Sequence, residues 1–459
     1  MNETKKTLYM GGAALALALL AFITVPRPVA PDEFADQGEA FYPEFTDPNS
    51  ATTLEVIEFN QETGEPVPFK VTFKNGKWTI PSHNEYPADG KDRLAKTAAG
   101  IIQLKKDDFR SDHPSAQEAA GVIDPLDETA TSLTGRGKRV TIKGENEKIL
   151  ADFIIGKEIE DRKDMHFIRI PGQKRIYAAR AGLDISTKFA DWIKTDLLEI
   201  TKDDIDQITL KDYSINERSG SVNQRDVVKL AKDGALWKTK KASAGKEVDA
   251  TKITNFLTAL DELSIVGVRP KPTGLSASLK KISNGGMNIS QADVLSLSSK
   301  GFYFTRDGNL LSNEGEIQAI TNKGVQYTIR FGEIVYGSGV AVSAGSEKNT
   351  SKESGPGENR YVFISSEFIP DTFSEPKKPG NTDFMGKADS LLTNADRTQK
   401  SLSDAHNAWQ SKIDAGTSLS SNLNKRFSGW YYVISAENFE KLHLKRSDIL
   451  KDKKEEEKK

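Results

Sequence analysis

Five histidines and two clusters of acidic residues could supply acid–base chemistry or metal ligands in this 459-residue sequence. The histidines are His83, His113, His166, His406 and His443. None pairs with another at H-x-x-H or H-E-x-x-H spacing, so the sequence gives no sign of a zinc site on a helix. One of them, His166, lies in a predicted strand, where a structural role is the better interpretation.

The acidic clusters are Glu158–Asp161 and Asp203–Asp206, and paired carboxylates can perform acid–base catalysis or bind calcium. Neither has the loop glycine and terminal glutamate of a calcium-binding hand, which favours solvated loop charge. The sequence also lacks a G-x-S-x-G turn and a G-x-x-x-x-G-K-[ST] phosphate loop. Gly337-Ser338-Gly339 lacks the third glycine and the helix of a dinucleotide site. We therefore predict no catalytic residue, no metal ligand and no cofactor.

Four tryptophans are candidate interaction residues, because an exposed indole can stack on a sugar or a peptide. They are Trp78, Trp237, Trp409 and Trp430. Two of them, Trp78 and Trp237, follow predicted tight turns at the same place in two similar segments. That recurrence favours a role in the core or on a sheet face.

The composition excludes several classes of function. The formal net charge is −2, so the sequence gives no basic footprint for nucleic acid. Because the chain has no cysteine, it cannot form disulfides, thiolate zinc sites or cysteine nucleophiles.

The N-terminus carries an apolar run from Leu8 to Val25, preceded by Lys5-Lys6 and followed by Pro26-Arg27-Pro28. The run is about long enough to cross a bilayer as a helix, and the flanking charges favour a cytoplasmic N-terminus. A cleaved signal peptide is the alternative, but no small-x-small cleavage site follows. We predict an uncleaved single-pass anchor, with the bulk of the chain outside the cytoplasm.

One order of segments, a tight turn with a tryptophan followed by a helical run, occurs twice in the chain. Its first copy has K-N-G-K-W at 74–78, then a helical run over Lys91–Lys105. The second copy has K-D-G-A-L-W at 232–237, then a helical run over Ala250–Ser264. Both N-G and D-G predict tight hairpins. Each helical run follows an aspartate, Asp89 or Asp249, that can cap it.

The copies differ at their last hairpin. Arg360–Ile364 is predicted to pair with Trp430–Ile434, which makes residues 365–429 an insertion. Helical spacing within it predicts a helix from about Thr382 to Ile413, which Gly416 would end, and Ser418–Phe427 could return as a second arm. The arm either packs on its own domain or projects to bind a partner.

The predicted fold class is α+β, with two tandem copies of an antiparallel, hairpin-rich sheet with packed helices. An N-terminal transmembrane helix precedes them, and the second copy carries the helical insertion. The predicted divisions are 1–26 (anchor), 27–52 (proline-rich linker), 53–200 (first copy), 201–450 (second copy, with the insertion 365–429) and 451–459 (disordered charged tail). Gly337–Gly357, rich in glycine and serine, is predicted to be a flexible loop.

Six motifs occur in the order of a known family. They are Gly76-Lys77-Trp78, Pro87-Ala88-Asp89, A-G-V-I-D-P at 120–125, Ile154-Ile155-Gly156-Lys157, Arg175-Ile176-Tyr177 and Asp196-Leu197-Leu198. This order resembles the bacterial family called domain of unknown function 4340, well over Leu54–Leu198 and loosely over Asp203–Leu450. The resemblance implies an envelope protein anchored in the inner membrane, in a family often encoded beside ABC-2-type transporter parts and gliding-type auxiliary subunits. No catalytic residues are assigned to that family.

We therefore expect a non-catalytic, single-pass, membrane-anchored protein of the cell envelope. It would be an accessory or binding component of an ABC-2-type transporter or gliding-type complex, with the membrane and protein partners but no nucleic acid. Two alternatives stay open. One is an extracytoplasmic hydrolase with a carboxylate site between the copies, and the other is a solute- or glycan-binding protein.

Overall fold

A computed structural model describes residues 3–24, 36–160, 162–216, 220–239, 245–275, 290–305, 309–337, 340–344 and 358–453. Its helices are α1 (Glu3–Thr24), α2 (Lys91–Ile102), α3 (Ala116–Ala120), α4 (Ala250–Asp261), α5 (Gln291–Ser298), α6 (Val340–Ser343), α7 (Asn394–Phe427), α8 (Ala436–Leu442) and α9 (Arg446–Ile449).

The strands of the first half are β1 (Thr53–Asn60), β2 (Glu65–Lys74), β3 (Lys77–Ile80), β4 (Tyr86–Pro87), β5 (Asp108–Ser111), β6 (Lys138–Lys143), β7 (Ile149–Ile159), β8 (Arg162–Arg169) and β9 (Ile176–Arg180). Those of the second half are β10 (Ile205–Asn216), β11 (Ser221–Asp233), β12 (Leu236–Thr239), β13 (Lys246–Val248), β14 (Gly267–Pro270), β15 (Phe302–Phe304), β16 (Leu310–Ser312), β17 (Glu316–Thr321), β18 (Val325–Val335), β19 (Asn359–Phe368), β20 (Trp430–Ile434) and β21 (Leu450–Asp452).

The chain forms two compact units. The first comprises Met1–Pro68 and Arg93–Ile185, and the second comprises Phe69–Asp92 and Ser186–Lys459. The predicted domains are continuous ranges of the chain, whereas each of these units combines two separate ranges. The predicted bounds stay a prediction.

The fold is α+β with antiparallel sheets, as predicted. The order of the larger sheet is β4-β3-β2-β1-β6-β7-β8-β9-β5, and that of the second is β12-β11-β10-β17-β18-β19-β20-β14. Read from β3 in the first sheet and from β12 in the second, the strands have the same order relative to the chain. Thus β3-β2-β1-β6-β7-β8-β9-β5 corresponds to β12-β11-β10-β17-β18-β19-β20-β14. In both sheets the strand that follows the 12-residue helix, β5 after α2 and β14 after α4, lies at the far edge beside the last strand.

Local sequence signals place the hairpins and the helix start correctly. Asn75 and Gly76 both have positive φ, 54° and 75°, in the turn between β2 and β3. The side chain of Asp249 accepts hydrogen bonds from the backbone N–H groups of Thr251 and Lys252, and α4 begins at Ala250. The predicted helical runs are each three residues too long, because α2 ends at Ile102 and α4 at Asp261.

The predicted last hairpin of the second sheet is confirmed. Arg360 lies opposite Ile434 and Val362 opposite Tyr432 in the antiparallel pairing of β19 with β20. The intervening segment begins later than predicted, since β19 continues to Phe368.

The predicted bounds of the inserted helix are wrong at both ends. Helix α7 starts at Asn394, because Thr393 and Asp396 form a capping box there: each side chain accepts from the other residue's backbone N–H. It then runs through Gly416 without interruption for 34 residues. A side chain at Gly416 would overlap the Phe368 ring, so glycine there permits close packing rather than ending the helix.

Several segments of the predicted divisions lie partly outside the described residues. Residues 27–35 and 454–459 lie outside the described residues, as do 338–339 and 345–357 of the predicted flexible loop. Residues 36–52 pack on the first unit, where Phe41 and Phe45 are buried. In the predicted tail, Lys451 and Asp452 belong to β21, which pairs with β13.

The N-terminal run forms α1 over Glu3–Thr24. Within the part of the chain that the structure describes, no helix meets the length and hydropathy needed to cross a bilayer. The predicted transmembrane helix is therefore not supported by the structure.

Candidate functional site

The second sheet has one apolar and one polar face, because successive side chains of a strand point to opposite sides. In β17 and β18, Ile317, Ala319, Tyr327 and Ile329 are buried on the apolar face. Helix α8 covers part of that face, with the Phe439 ring 5.2 Å from the Phe331 ring. The opposite face carries the alternate residues, which are Glu316, Gln318, Gln326, Thr328 and Arg330 together with the apolar Ile320.

A row of charged residues crosses the polar face. Lys211 lies opposite Glu316, Glu316 opposite Arg330, and Arg330 opposite Phe363 in the strand register. The Lys211 Nζ is 2.7 Å from Oε1 of Glu316, and the Arg330 Nε is 3.1 Å from Oε2. Only 3% of the Glu316 side chain is exposed. One buried carboxylate thus forms ion pairs with two cations, and this group of three residues carries a net charge of +1.

The carboxylate of Glu316 also accepts two neutral hydrogen bonds. The Tyr213 hydroxyl donates to Oε2 at 3.1 Å, and Nε2 of Gln318 donates to Oε1 at 3.0 Å. Burial, together with the negative charge of Glu316, raises the pKa of Tyr213 to about 12. The hydroxyl therefore keeps its proton and remains a donor to the carboxylate at neutral pH.

Helix α7 forms a wall beside this face. The helix is fixed to β19 by Asn424, whose Nδ2 donates to the Ser366 carbonyl oxygen at 2.6 Å and whose Oδ1 accepts from the Ser366 N–H at 2.9 Å. The residues of this wall that line the cavity beside the polar face recur at helical spacing and carry no carboxylate. They are Thr417, Ser420, Ser421, Asn424, Lys425 and Ser428.

A cavity of about 980 Å³ lies between the polar sheet face, helix α7 and the β15–β16 hairpin. Its volume is at the upper end of the range of small-molecule sites. The hairpin contributes Phe304, Leu310 and Leu311 to the lining. We call this cavity the sheet–helix cleft. All of the residues that line it belong to the second unit.

Lys271 is the most deeply buried basic residue among those that line the sheet–helix cleft, with 6% of the residue exposed. Its Nζ donates to the Phe427 carbonyl oxygen at 3.1 Å and lies 3.7 Å from the centre of the Phe363 ring. Burial, reinforced by the charge of Arg330, holds the pKa of Lys271 well below its ordinary value. The cleft therefore contains an amine that is poorly stabilised as a cation.

The four candidate tryptophans lie outside the lining of the sheet–helix cleft. Trp78 is half-buried, 5.3 Å from the Phe73 ring, and Trp237 is half-buried on β12. Trp409 donates its Nε1 hydrogen to the Phe373 carbonyl oxygen at 3.2 Å, and Trp430 packs edge-on against Tyr86 at 4.9 Å. Their role in binding stays a prediction.

Among the histidines, His83 has the most enclosed position. It is buried, with Nδ1 3.0 Å from the Ser82 hydroxyl and Nε2 2.9 Å from the Ser343 hydroxyl. Burial, and then the charge of Arg269, lowers the pKa of His83 to about 4.

The predicted acidic clusters show no metal geometry in the described residues. No group of three or more His, Asp or Glu side chains there is arranged to hold a metal ion. Asp204 forms an ion pair of 2.7 Å with Lys323, whose hydrogen bond lowers the pKa of the carboxyl. In the other cluster, Asp161 lies outside the described residues.

Sequence reasoning did not identify the sheet–helix cleft. The available signal was the alternation E-I-Q-A-I-T followed by V-Q-Y-T-I-R, which places polar residues at every second position of β18 and at the first two such positions of β17, with Ile320 as the exception. Such a pattern is typical of a strand whose polar face meets solvent. The covering helix comes from the inserted segment, and nothing in the two strands indicates it.

The chain matches one known protein family. Residues 78–278 match the model of a family described as Domain of unknown function (DUF4340). No curated protein and no solved structure matches the chain.

Proposed function

Because this chain belongs to the DUF4340 family through residues 78–278, we propose that it is a non-catalytic cell-envelope protein that acts by binding. In this proposal the chain is an accessory component of an ABC-2-type transporter or gliding-type complex. The tandem arrangement of two family units is part of the proposal, supported by the matching strand orders of the two sheets.

The sheet–helix cleft is the observation that carries the binding role. It combines a buried charge row, a wall of hydroxyl and amide groups, and the aromatic side chains Phe304 and Phe363. A few polar groups within a concave, partly apolar lining are typical of ligand sites. The inserted helix closes the cleft, so the proposal gives the insertion a function.

Membrane anchoring is supported by the sequence of the N-terminus. The uncharged run Leu8–Val25 follows two lysines, and it ends one residue beyond the described part of α1. In the proposal this run spans the inner membrane once, with the N-terminus in the cytoplasm. Fractionation tests it: the full chain stays in membranes after an alkaline wash, whereas a chain lacking residues 1–26 is released. Release of both chains would contradict the anchor.

Co-purification from detergent-solubilised membranes tests the binding role. Ser421→Trp places a large side chain in the sheet–helix cleft from an exposed position of α7, and Asn422→Trp adds the same side chain at an exposed position outside its lining. We expect Ser421→Trp to lose partners that the unmodified chain and Asn422→Trp retain. The same partners on all three chains, or none on any, would contradict the proposal.

The sheet–helix cleft also favours the solute- or glycan-binding alternative, because hydroxyl, amide and aromatic groups together suit a carbohydrate. In that case Ser421→Trp would abolish binding of a small ligand to the purified chain without any protein partner.

A further inference from the structure

We propose that the sheet–helix cleft binds an acidic carbohydrate, whose negative charge pairs with Lys271 and Arg330. The inference rests on the proposed binding function and adds the chemical class of the ligand. A carboxylate of a uronic acid and a phosphate of a sugar phosphate share the chemistry that these two side chains recognise.

The charge balance of the cleft favours an anion. Lys211 and Arg330 share the single carboxylate of Glu316, and Lys271 has no carboxylate within ion-pair distance among the described residues. The remaining charged lining residues are Glu367 and Lys425, both exposed, which cancel each other at the rim. The buried floor is therefore positive, and a buried cation is unfavourable until an anion pairs with it.

Lys271 retains hydrogen-bonding capacity for such an anion. An ammonium has three N–H donors, and the described residues supply one acceptor, the Phe427 carbonyl oxygen, together with the face of the Phe363 ring. The guanidinium of Arg330 uses Nε toward Leu310 and Glu316 and Nη1 toward the Ser365 hydroxyl at 3.1 Å. A guanidinium has five N–H donors, so further donors remain for a ligand.

The walls fit the uncharged part of a carbohydrate. The α7 wall offers hydroxyl groups from Thr417, Ser421 and Ser428 and contributes no carboxylate that would repel an anion. On the sheet side, amide groups of Gln318 and Gln326 can donate to and accept from sugar hydroxyls. The opposite wall provides the Phe304 ring, an apolar surface on which a pyranose can lie.

Binding should also be linked to a proton. Burial and the nearby charge of Arg330 lower the pKa of Lys271, which disfavours its charged form before the ligand arrives. An anion beside Nζ favours the charged form, so the complex takes up a proton from solution. Calorimetry in buffers of different ionisation enthalpy measures this uptake independently of affinity.

Titration calorimetry on the purified full chain, with D-galacturonate, D-galactose 6-phosphate and neutral D-galactose, tests the inference. We expect at least one anionic probe to bind about tenfold more tightly than galactose, with uptake of a proton on binding. Preference for galacturonate assigns a carboxylate ligand, and preference for the sugar phosphate assigns a phosphate ligand. Equal affinity for galactose and both anions, or no binding of either anion at about 10 mM, would overturn the inference.

Lys271→Met removes the charge and keeps the aliphatic length, and it should reduce anion affinity to that of galactose and abolish proton uptake. Lys441→Met is the matched control, since Lys441 is exposed and lies outside the cleft lining. If Lys271→Met does not fold, Ser421→Trp replaces it, with Asn422→Trp as its control. Unchanged anion binding in the folded Lys271→Met chain, or in Ser421→Trp, would contradict the proposal.

The two proposals fail in different ways. If Ser421→Trp loses its membrane partners but neither anion binds the purified chain, the binding function stands and the ligand class is wrong. If the anions bind in the cleft but no chain co-purifies with a partner, the ligand class stands and the accessory role is wrong.

Discussion

Gly156 and Gly332 occupy the same position in equivalent strands of the two sheets. Each is the eighth residue of an 11-residue strand, counted from Ile149 in β7 and from Val325 in β18. Each glycine lies within a shift of the pairing register, between Ile155 and Glu158 in β7 and between Phe331 and Ile334 in β18. At Gly156 an added Cβ would overlap the Ala120 carbonyl oxygen, and at Gly332 it would overlap that of Lys300. Both sheets therefore require a residue without a side chain where a second segment crosses the strand.

Alanine at either glycine should destabilise the unit that contains it. We expect a loss of about 1–3 kcal/mol in the free energy of unfolding, because a backbone carbonyl must shift to admit the methyl group. Urea denaturation of the full chain measures the change. Gly182→Ala and Gly429→Ala are the controls, since no atom lies within 4 Å of a Cβ built at either position. Equal stability of the test and control variants would refute the crossing argument.

Gly416→Ala should destabilise the contact of α7 with the second sheet. In an exposed helix this substitution stabilises by about 1 kcal/mol, so a loss of stability would identify the contact with Phe368 as its cause. The double variant Gly416→Ala with Phe368→Ala should recover part of the loss by freeing the ring volume. Recovery is incomplete because a Cβ at Gly416 also lies 2.8 Å from the Lys323 carbonyl oxygen. Strictly additive effects in a double-mutant cycle would argue against this contact.

Glu316→Gln should destabilise the second unit strongly, because it leaves Lys211 and Arg330 without their shared carboxylate. Breaking a buried ion pair by removing one partner costs about 3–5 kcal/mol. The control is Glu437→Gln, an exposed residue whose ion pair with Lys441 lies at the surface, where a pair contributes about 0–1 kcal/mol. Chemical denaturation compares the two variants. Similar losses in the free energy of unfolding would show that the buried ion pairs of Glu316 do not stabilise the sheet.

Acidification should destabilise the second unit through His83. The folded pKa of His83 is about 4, below the ordinary histidine value of 6.5, so between these values the unfolded chain binds more protons than the folded chain. The free energy of unfolding therefore falls as the pH falls from 6.5 toward 4, by at most about 3 kcal/mol from this group.

His83→Gln should flatten this pH dependence, since glutamine can bond to the serine hydroxyls but does not titrate. His443, whose pKa burial also lowers, contributes a residual slope of the same sign. The control is His113→Gln, because His113 is exposed. Thermal melts across the window measure the slope, and a slope unchanged by His83→Gln would exclude this histidine as its source.

Local signals in the sequence predict the hairpins well because a tight turn depends on a few adjacent residues. The Asn75-Gly76 turn and the Asp249 cap are examples in which backbone geometry follows from side-chain type alone. Strand pairing across the insertion, Arg360 with Ile434, was predictable only by comparing the two copies of the segment order. The family was predictable for the same reason, from the order of short motifs.

Tertiary packing explains what the sequence did not predict. Gly416 was expected to end a helix. It lies instead in the interior of α7, where the ring of Phe368 leaves no room for a side chain. The Thr393–Asp396 capping box was a readable start signal that the helical periodicity from Thr382 obscured. The sequence around Lys271 did not indicate that this residue is buried. Its burial depends on Phe427, which follows it by more than 150 residues and lies at the end of α7.

The pairing of β14 with β20 sets the order in which the second sheet can be completed during synthesis. β14 forms at Gly267–Pro270, but its partner is Trp430–Ile434. A nascent chain that stops before Trp430 leaves both β14 and β19 with open backbone edges, which are templates for pairing with another chain. The ribosome must therefore translate the whole segment from β14 to β20 before this edge closes, and the growing polypeptide needs shielding from its neighbours until then.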